Sequence, residues 1–298
     1  MTGASIRITA SLLREWPLPE PGADGGKEER GCALVVGGSR ETPGAALLAA
    51  IGVLRAGAGK LQIATTREVA PGMALAVPEA RVIGLGSTRR GEIATGACKA
   101  IFPEVKRCDA MVVGPGMADA SAVVDLLHRA KQRDATLVVD AGGLRFFSGR
   151  RVLPAVGRGK TILTPHPGEM ANLWGVERSE VVLHPLELAR AAAARIGAIV
   201  VLKGPSTYIV SPDGKAFHNT EGNIGLGTSG SGDVLSGIIA GLAARGADPL
   251  RAAAWGVYLH AKAGDVLARK GGTLGFLARE LPAEIPALMA RLSGNPRS

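Results

Sequence analysis

Apolar residues along the chain fall into short runs that end in glycine, with longer Ala/Leu-rich stretches between them. "ALVVGG" (Ala33–Gly38) has no polar position, the pattern of a strand buried on both faces. "PGAALLAAIGVLRAGAG" follows. It opens on Pro43, which suits the first turn of a helix, and closes on glycine, which suits its end. "KLQIATT", "CDAMVVGPG", "ATLVVDAGG", "KTILTPHPGEM" and "AIVVLKGP" repeat the strand signal, and the helical "DASAVVDLLHRAKQRD" separates the second from the third. Strands alternating with helices predict an α/β fold with a mainly parallel central sheet and helices on both faces. "STYIVSPDGKAFHNT" is different: two alternating polar and apolar halves flank Pro212-Asp213-Gly214, which predicts a hairpin. "GDVLSGIIAGLAARG", "PLRAAAWGVYLHAKAGDVLARK" and a last segment from about Pro282 are helical. Residues 1–31, polar and glycine-rich, predict a short helix followed by a mobile loop. No repeat, linker or break in composition divides the chain, so a single domain over residues 1–298 is expected.

In an open α/β sheet, ligands bind beyond the carboxyl ends of the strands. The distinctive polar clusters sit there: Gly37–Ser39, Gly114–Gly116, Asp140–Gly143, Thr164–Glu169 and Lys203–Thr207. "GTSGSGD" (Gly227–Asp233) instead precedes a helix. A helix N-terminus offers unpaired N–H groups and a positive dipole end, and glycine lets backbone wrap closely around an anion. Gly230, Ser231 and Gly232 therefore form a candidate anion hole. Asp233 would stand beside the bound anion, where an acid is well explained as the base that takes a proton from a hydroxyl attacking a phosphoryl group. The plainer alternative is an acid that stabilises a helix start. No Walker A loop and no properly placed dinucleotide-binding glycine fingerprint is present.

Composition narrows the field. The 298 residues carry a net charge of +9, but Lys and Arg are scattered and aromatics make up only 3%, which speaks against a base-stacking nucleic-acid platform and for phosphate-bearing small ligands. Three cysteines (Cys32, Cys98, Cys108) form no CxxC pair, as expected in a reducing compartment. No run reaches membrane-span length and the N-terminus lacks a signal-peptide pattern, so a soluble, cytoplasmic protein with no membrane partner is expected.

"VVGGSRETPGAALLAAIGVLRAGAG", "VVGPGM", "VVDAGGL", "ILTPHPGEMANL", "VLKGPSTYIVSPDG", "GNIGLGTSGSGDVLSGIIAGLAARG" and "GVYLHAKAGD", in this order from about Ala33 to Asp265, resemble the ADP- or ATP-dependent NAD(P)H-hydrate dehydratase family of the ribokinase-like superfamily. The resemblance implies a ribokinase-like fold. The implied reaction is repair of NADHX or NADPHX, the 6-hydroxylated cofactors, by phosphorylation of the hydroxyl and loss of phosphate, with ADP giving AMP. It implies Asp233 as catalytic base and Gly230, Ser231 and Gly232 as the anion hole, with Gly232 also at the nucleotide phosphate. It further implies that Lys203, Gly204, Pro205, Ser206 and Thr207 line the nucleotide site, that His166, Ala45, Gly116 and Asp233 border the hydrated cofactor, and that Glu169 holds Mg²⁺ indirectly, through water.

Further implications are ADP (or ATP) as co-substrate, a homo-oligomer, namely a tetramer, and a separate NAD(P)HX epimerase, since no epimerase domain precedes the first strand. Plainer alternatives stand beside several roles: a loop histidine for His166, a turn glycine for Gly116, a packing alanine for Ala45, and a capping carboxylate for Glu169. The chain departs from the family where "DAGGL" puts Gly142 at the place of a second acid found in some members, and where Ser229 and Ser231 replace commoner residues. A ribokinase-like kinase of a small alcohol would use the same anion hole and base, and is the competing reading.

Overall fold

The computed structural model describes residues 4–22, 26–118, 121–124, 126, 129, 135–149 and 159–293. Its strands are β1 (Ile6–Arg7), β2 (Cys32–Val36), β3 (Lys60–Thr66), β4 (Ala80–Leu85), β5 (Ala110–Val113), β6 (Thr136–Val139), β7 (Thr161–Leu163), β8 (Ile199–Leu202), β9 (Thr207–Val210) and β10 (Ala216–Asn219). The helices are α1 (Ala10–Glu15), α2 (Pro43–Arg55), α3 (Ala70–Ala76), α4 (Phe102–Val105), α5 (Pro167–Trp174), α6 (Arg178–Leu183), α7 (Pro185–Ile196), α8 (Ser231–Ala244), α9 (Pro249–Gly271) and α10 (Leu281–Leu292). The helix expected over residues 119–134 lies mostly outside the described residues.

All ten strands join one sheet in the order β1-β10-β9-β8-β7-β6-β5-β2-β3-β4. Strands β4, β3, β2, β5, β6, β7 and β8 pair in parallel, so their carboxyl ends share one rim. The predicted hairpin is β9–β10, antiparallel, with Thr207 opposite Asn219. The period of two along each strand sorts its residues between two cores. Ala33, Val35, Ala110 and Val112 face α2, α8 and α9; Leu34, Val36, Met111 and Val113 face α5 and α7. That two-sided burial is why these strands read as unbroken apolar runs.

Helices α2 and α8 pack backbone to backbone. A side chain at Gly237 would begin 2.1 Å from the Ala49 carbonyl oxygen, and one at Gly241 2.4 Å from that of Val53. The glycines and alanines in "GDVLSGIIAGLAA" and "PGAALLAAIGVLR" permit this contact, which fixes the N-terminus of α8 against the sheet.

The N-terminal segment belongs to the fold more closely than its polarity suggests. Ile8 and Leu13 are fully buried, β1 adds in parallel to β10, and the Trp255 indole N–H donates to the Trp16 carbonyl at 2.8 Å. Its few apolar residues are spaced too irregularly for a periodicity argument to have shown this.

Candidate active site

Hydrogen bonds and close approaches tie neighbouring rim loops together. The Gly38 N–H donates to the Pro115 carbonyl at 2.7 Å, and the Lys203 N–H donates to that of Pro165 at 2.9 Å. Gly116 adopts φ +67 and has no room for a side chain: a Cβ would lie 2.3 Å from the Thr42 carbonyl oxygen and 3.0 Å from the Ala45 Cβ. Gly116 and Ala45 are therefore neighbours, and intramolecular packing by itself requires glycine at position 116. At Gly142 a Cβ would meet the Met117 carbonyl oxygen at 2.0 Å, so this backbone leaves no room for a second acid.

Asp140, at the end of β6, is only 2% exposed. Its Oδ1 accepts from the Thr164 hydroxyl at 2.8 Å and from Lys203 Nζ at 3.1 Å. Lys203 Nζ also lies 3.9 Å from Glu169 Oε2. Burial opposes the Lys203 charge, but Asp140 and then Glu169 outweigh it, so its pKa rises and the ammonium is retained.

Helix α5 starts at His166, which caps it: His166 Nδ1 accepts from the Gly168 and Glu169 N–H groups at 3.0 and 3.2 Å, while Glu169 Oε2 accepts from the His166 N–H at 2.8 Å. This is a reciprocal capping box with imidazole in place of the usual hydroxyl. Because Nδ1 accepts, the ring proton sits on Nε2, which lies 3.6 Å from Glu169 Oε1 on a half-exposed side chain. Glu169 is therefore a capping carboxylate, the plainer of its two sequence readings, and it also faces Lys203.

Gly230, at φ +88, is the N-cap of α8. A Cβ there would strike Leu48 of α2 at 2.4 Å, so glycine meets both a backbone and a packing demand. Gly232 follows in the first turn, where a Cβ would stand 3.0 Å from Lys203 Nζ. Asp233 is half-buried. Burial, then the negative charges of Asp140 and Glu169, lift its carboxyl to about 7 against the pull of Lys203. A carboxyl poised near neutrality at a helix N-terminus is suited to take a proton at physiological pH. The loops after β6, β7 and β8 and the start of α8 thus surround one Asp140–Lys203–Glu169–Asp233 cluster. A pocket opens beside it, lined by Met117, Gly142, Arg145, Glu169 and Asn172.

Two members of the site were given no role from the sequence. Asp140, which anchors Lys203, had a visible signal as a lone acid ending a buried strand. His260, on α9, lies behind the α8 turn with Nε2 3.0 Å from Ser231 Oγ and 3.0 Å from the Ser231 carbonyl oxygen. Its only sequence signal is one polar position inside an apolar helix face. Among the described residues no group of three or more His, Cys, Asp or Glu is placed to hold a metal ion. Glu169 is engaged in the helix cap through Oε2, and its Oε1, 3.6 Å from His166 Nε2, is left to meet a cation through water, the way Mg²⁺ is usually held.

The family model for NAD(P)H-hydrate dehydratase matches residues 33–287. An ADP-dependent (S)-NAD(P)H-hydrate dehydratase of Xanthomonas campestris pv. campestris is 50% identical over 294 residues, covering 98% of this chain and 99% of its own. A bifunctional NAD(P)H-hydrate repair enzyme of Moorella thermoacetica is 38% identical over 96% of this chain, which spans 54% of that protein. The Bacillus subtilis ADP/ATP-dependent NAD(P)H-hydrate dehydratase, co-crystallised with ATP/Mg²⁺, superposes with a TM-score of 0.83 at 31% identity, covering 97% of this chain and 99% of that one.

Proposed function

The chain belongs to the NAD(P)H-hydrate dehydratase family, and from that membership we infer that it catalyses the nucleotide-dependent dehydration of 6-hydroxylated NAD(P)H, restoring NAD(P)H. The observation that carries the reading is Asp233: a half-buried carboxyl lifted to about 7, in the first turn of a glycine-capped helix and facing the ammonium of partly buried Lys203. In the step this geometry serves, Asp233 takes the proton of the substrate hydroxyl. The freed oxygen attacks the terminal phosphoryl group of the nucleotide, and AMP leaves when ADP is the donor. The phosphate ester then loses phosphate, with a ring proton departing to solvent, and the nicotinamide double bond returns.

The N–H groups of Gly230, Ser231 and Gly232 receive the phosphoryl oxygens, Ser231 exchanging its 3.3 Å hydrogen bond to the Thr228 carbonyl for this one, and the Lys203 ammonium, held by Asp140, offsets their charge. Residues 204–207 border the nucleotide. His166, Ala45 and Gly116 border the hydrated cofactor, with the His166 Nε2–H as donor. Glu169 would hold Mg²⁺ through water against the nucleotide phosphates, where the ion neutralises charge on the phosphoryl oxygens.

A kinase of a small alcohol would use the same base and anion hole. Relatedness over nearly the whole of both chains at 50% identity favours the dehydratase. The test is to incubate the protein with NADHX, Mg²⁺ and either ADP or ATP. Recovery of the near-ultraviolet absorbance of NADH with release of free phosphate is expected. A stable phosphate ester without NADH would refute the dehydratase.

A further inference from the structure

We propose that His260 is a positioning residue for the phosphoryl-binding turn: from α9 its imidazole holds Ser231 and, through Ser231, keeps the Gly230–Gly232 backbone in its receiving conformation. The proposal rests on the reading of that turn as the phosphoryl site. Ser231 stands between two glycines, which leave the backbone free to depart from the binding form, so a contact to its carbonyl oxygen and hydroxyl together can hold the turn. His260 supplies the hold. Its Nε2 is 3.0 Å from the Ser231 carbonyl oxygen and 3.0 Å from Ser231 Oγ, in a contact that spans 29 residues of sequence. The carbonyl can only accept, so Nε2 carries the proton, and the hydroxyl oxygen shares it as a second acceptor.

Both residues are buried, His260 to 8% and Ser231 to 4% exposure. Burial and the Lys203 charge together hold the imidazole in its neutral form, with its pKa near 4. The flanking turns of α9 are anchored by fully buried Trp255 and Leu259, so the ring is presented from a rigid element. Packing alone would be met by an apolar side chain at this depth. A polar ring there is stabilising only if its hydrogen bonds are made, and those of Nε2 go to the phosphoryl turn.

Three variants test this. His260→Leu keeps apolar volume and loses the donor; His260→Gln returns an amide N–H near the Nε2 position; Ser231→Ala removes one of the two acceptors. For His260→Leu the expected result is a loss of about 10- to 100-fold in kcat, the scale on which small misplacements act. ADP affinity by calorimetry should weaken while the KM for NADHX stays within about twofold. His260→Gln should recover most of both losses, and His260→Leu should cost less in the Ser231→Ala background than in the native chain, because the two act through one contact.

The proposal is overturned if His260→Leu lowers thermal stability alone and leaves kcat and ADP affinity as in the native protein. It is equally overturned if the losses fall on NADHX and ADP alike without rescue by glutamine. Should His260→Leu fail to fold, His260→Gln against His260→Asn decides. Asparagine places its amide near Nδ1, so equal kcat and ADP affinity in those two variants overturns the proposal. Failure of the native protein to bind ADP or to restore NADH would instead overturn the dehydratase reading.

Discussion

Replacing Asp233 by asparagine should slow turnover sharply and, at neutral pH, stabilise the protein. The carboxyl is lifted from 3.8 to about 7, first by burial and then by Asp140. A gap of about 3 pH units at about 1.4 kcal/mol each places about 4 kcal/mol against ionising this group in the folded state. Between pH of about 4 and about 7 the folded carboxyl holds a proton that the unfolded one has lost. Stability therefore falls as pH rises through that window and levels off above it. Asparagine keeps the shape and cannot ionise, so the variant escapes the penalty. Its advantage over the native protein should be near zero at pH 4, grow through the window and approach about 4 kcal/mol at pH 8, equivalent to about 6 °C in Tm for a chain of this length. Thermal or denaturant unfolding of both proteins at several pH values between 4 and 8 measures it. Turnover of NADHX in the variant should be lower by about 10²–10⁴-fold. A stability difference that does not change with pH, or a variant less stable at pH 8, would refute the argument that Asp233 is held protonated by its surroundings. Near-normal turnover would refute its role as base.

Gly232→Ala should leave a folded protein with weaker ADP binding and slower turnover, because the new Cβ stands 3.0 Å from Lys203 Nζ and the flexible ammonium must move away; unchanged ADP affinity by calorimetry would count against the anion hole. His166→Asn should keep the cap of α5, since an asparagine oxygen can accept the same N–H groups, yet raise the KM for NADHX while ADP affinity holds; His166→Ala should in addition lose about 1 kcal/mol of stability in denaturant unfolding. Gly237→Val should destabilise the fold by about 3 kcal/mol or more, since its Cβ would begin 2.1 Å from the Ala49 carbonyl oxygen, and a drop in Tm of under about 2 °C would show that α2 can yield.

The chain alone determined much of this molecule, because its signals are local. Strands buried on both faces must be apolar throughout, so "ALVVGG", "AMVV", "TLVV" and "IVVL" announced β2, β5, β6 and β8. Pro43, the Pro212-Asp213-Gly214 turn and the glycine-rich start of α8 carry their geometry in their own residue types. The order of motifs identified the family, and the glycine-rich helix start with Asp233 in its first turn, on which the proposed base and anion hole rest, was legible from residue types alone. Strand β4 went unseen because "ARVIGL" is neither fully apolar nor cleanly alternating, and β1 because two residues carry no period.

Only the tertiary structure decided the rest, since it depends on distance between residues far apart in sequence. Asp140 and Lys203 are 63 residues apart and form an ion pair whose charges, after burial and together with Glu169, shift the pKa of Asp233. The role of Glu169 as a cap facing that lysine, the ring proton of His166 on Nε2, the contact of Gly116 with Ala45, and the hold of His260 on Ser231 are likewise consequences of packing. Residue type states what a side chain can do, but desolvation and charge act through space, so which of those capacities is used is settled by the neighbours that the fold brings within a few ångströms.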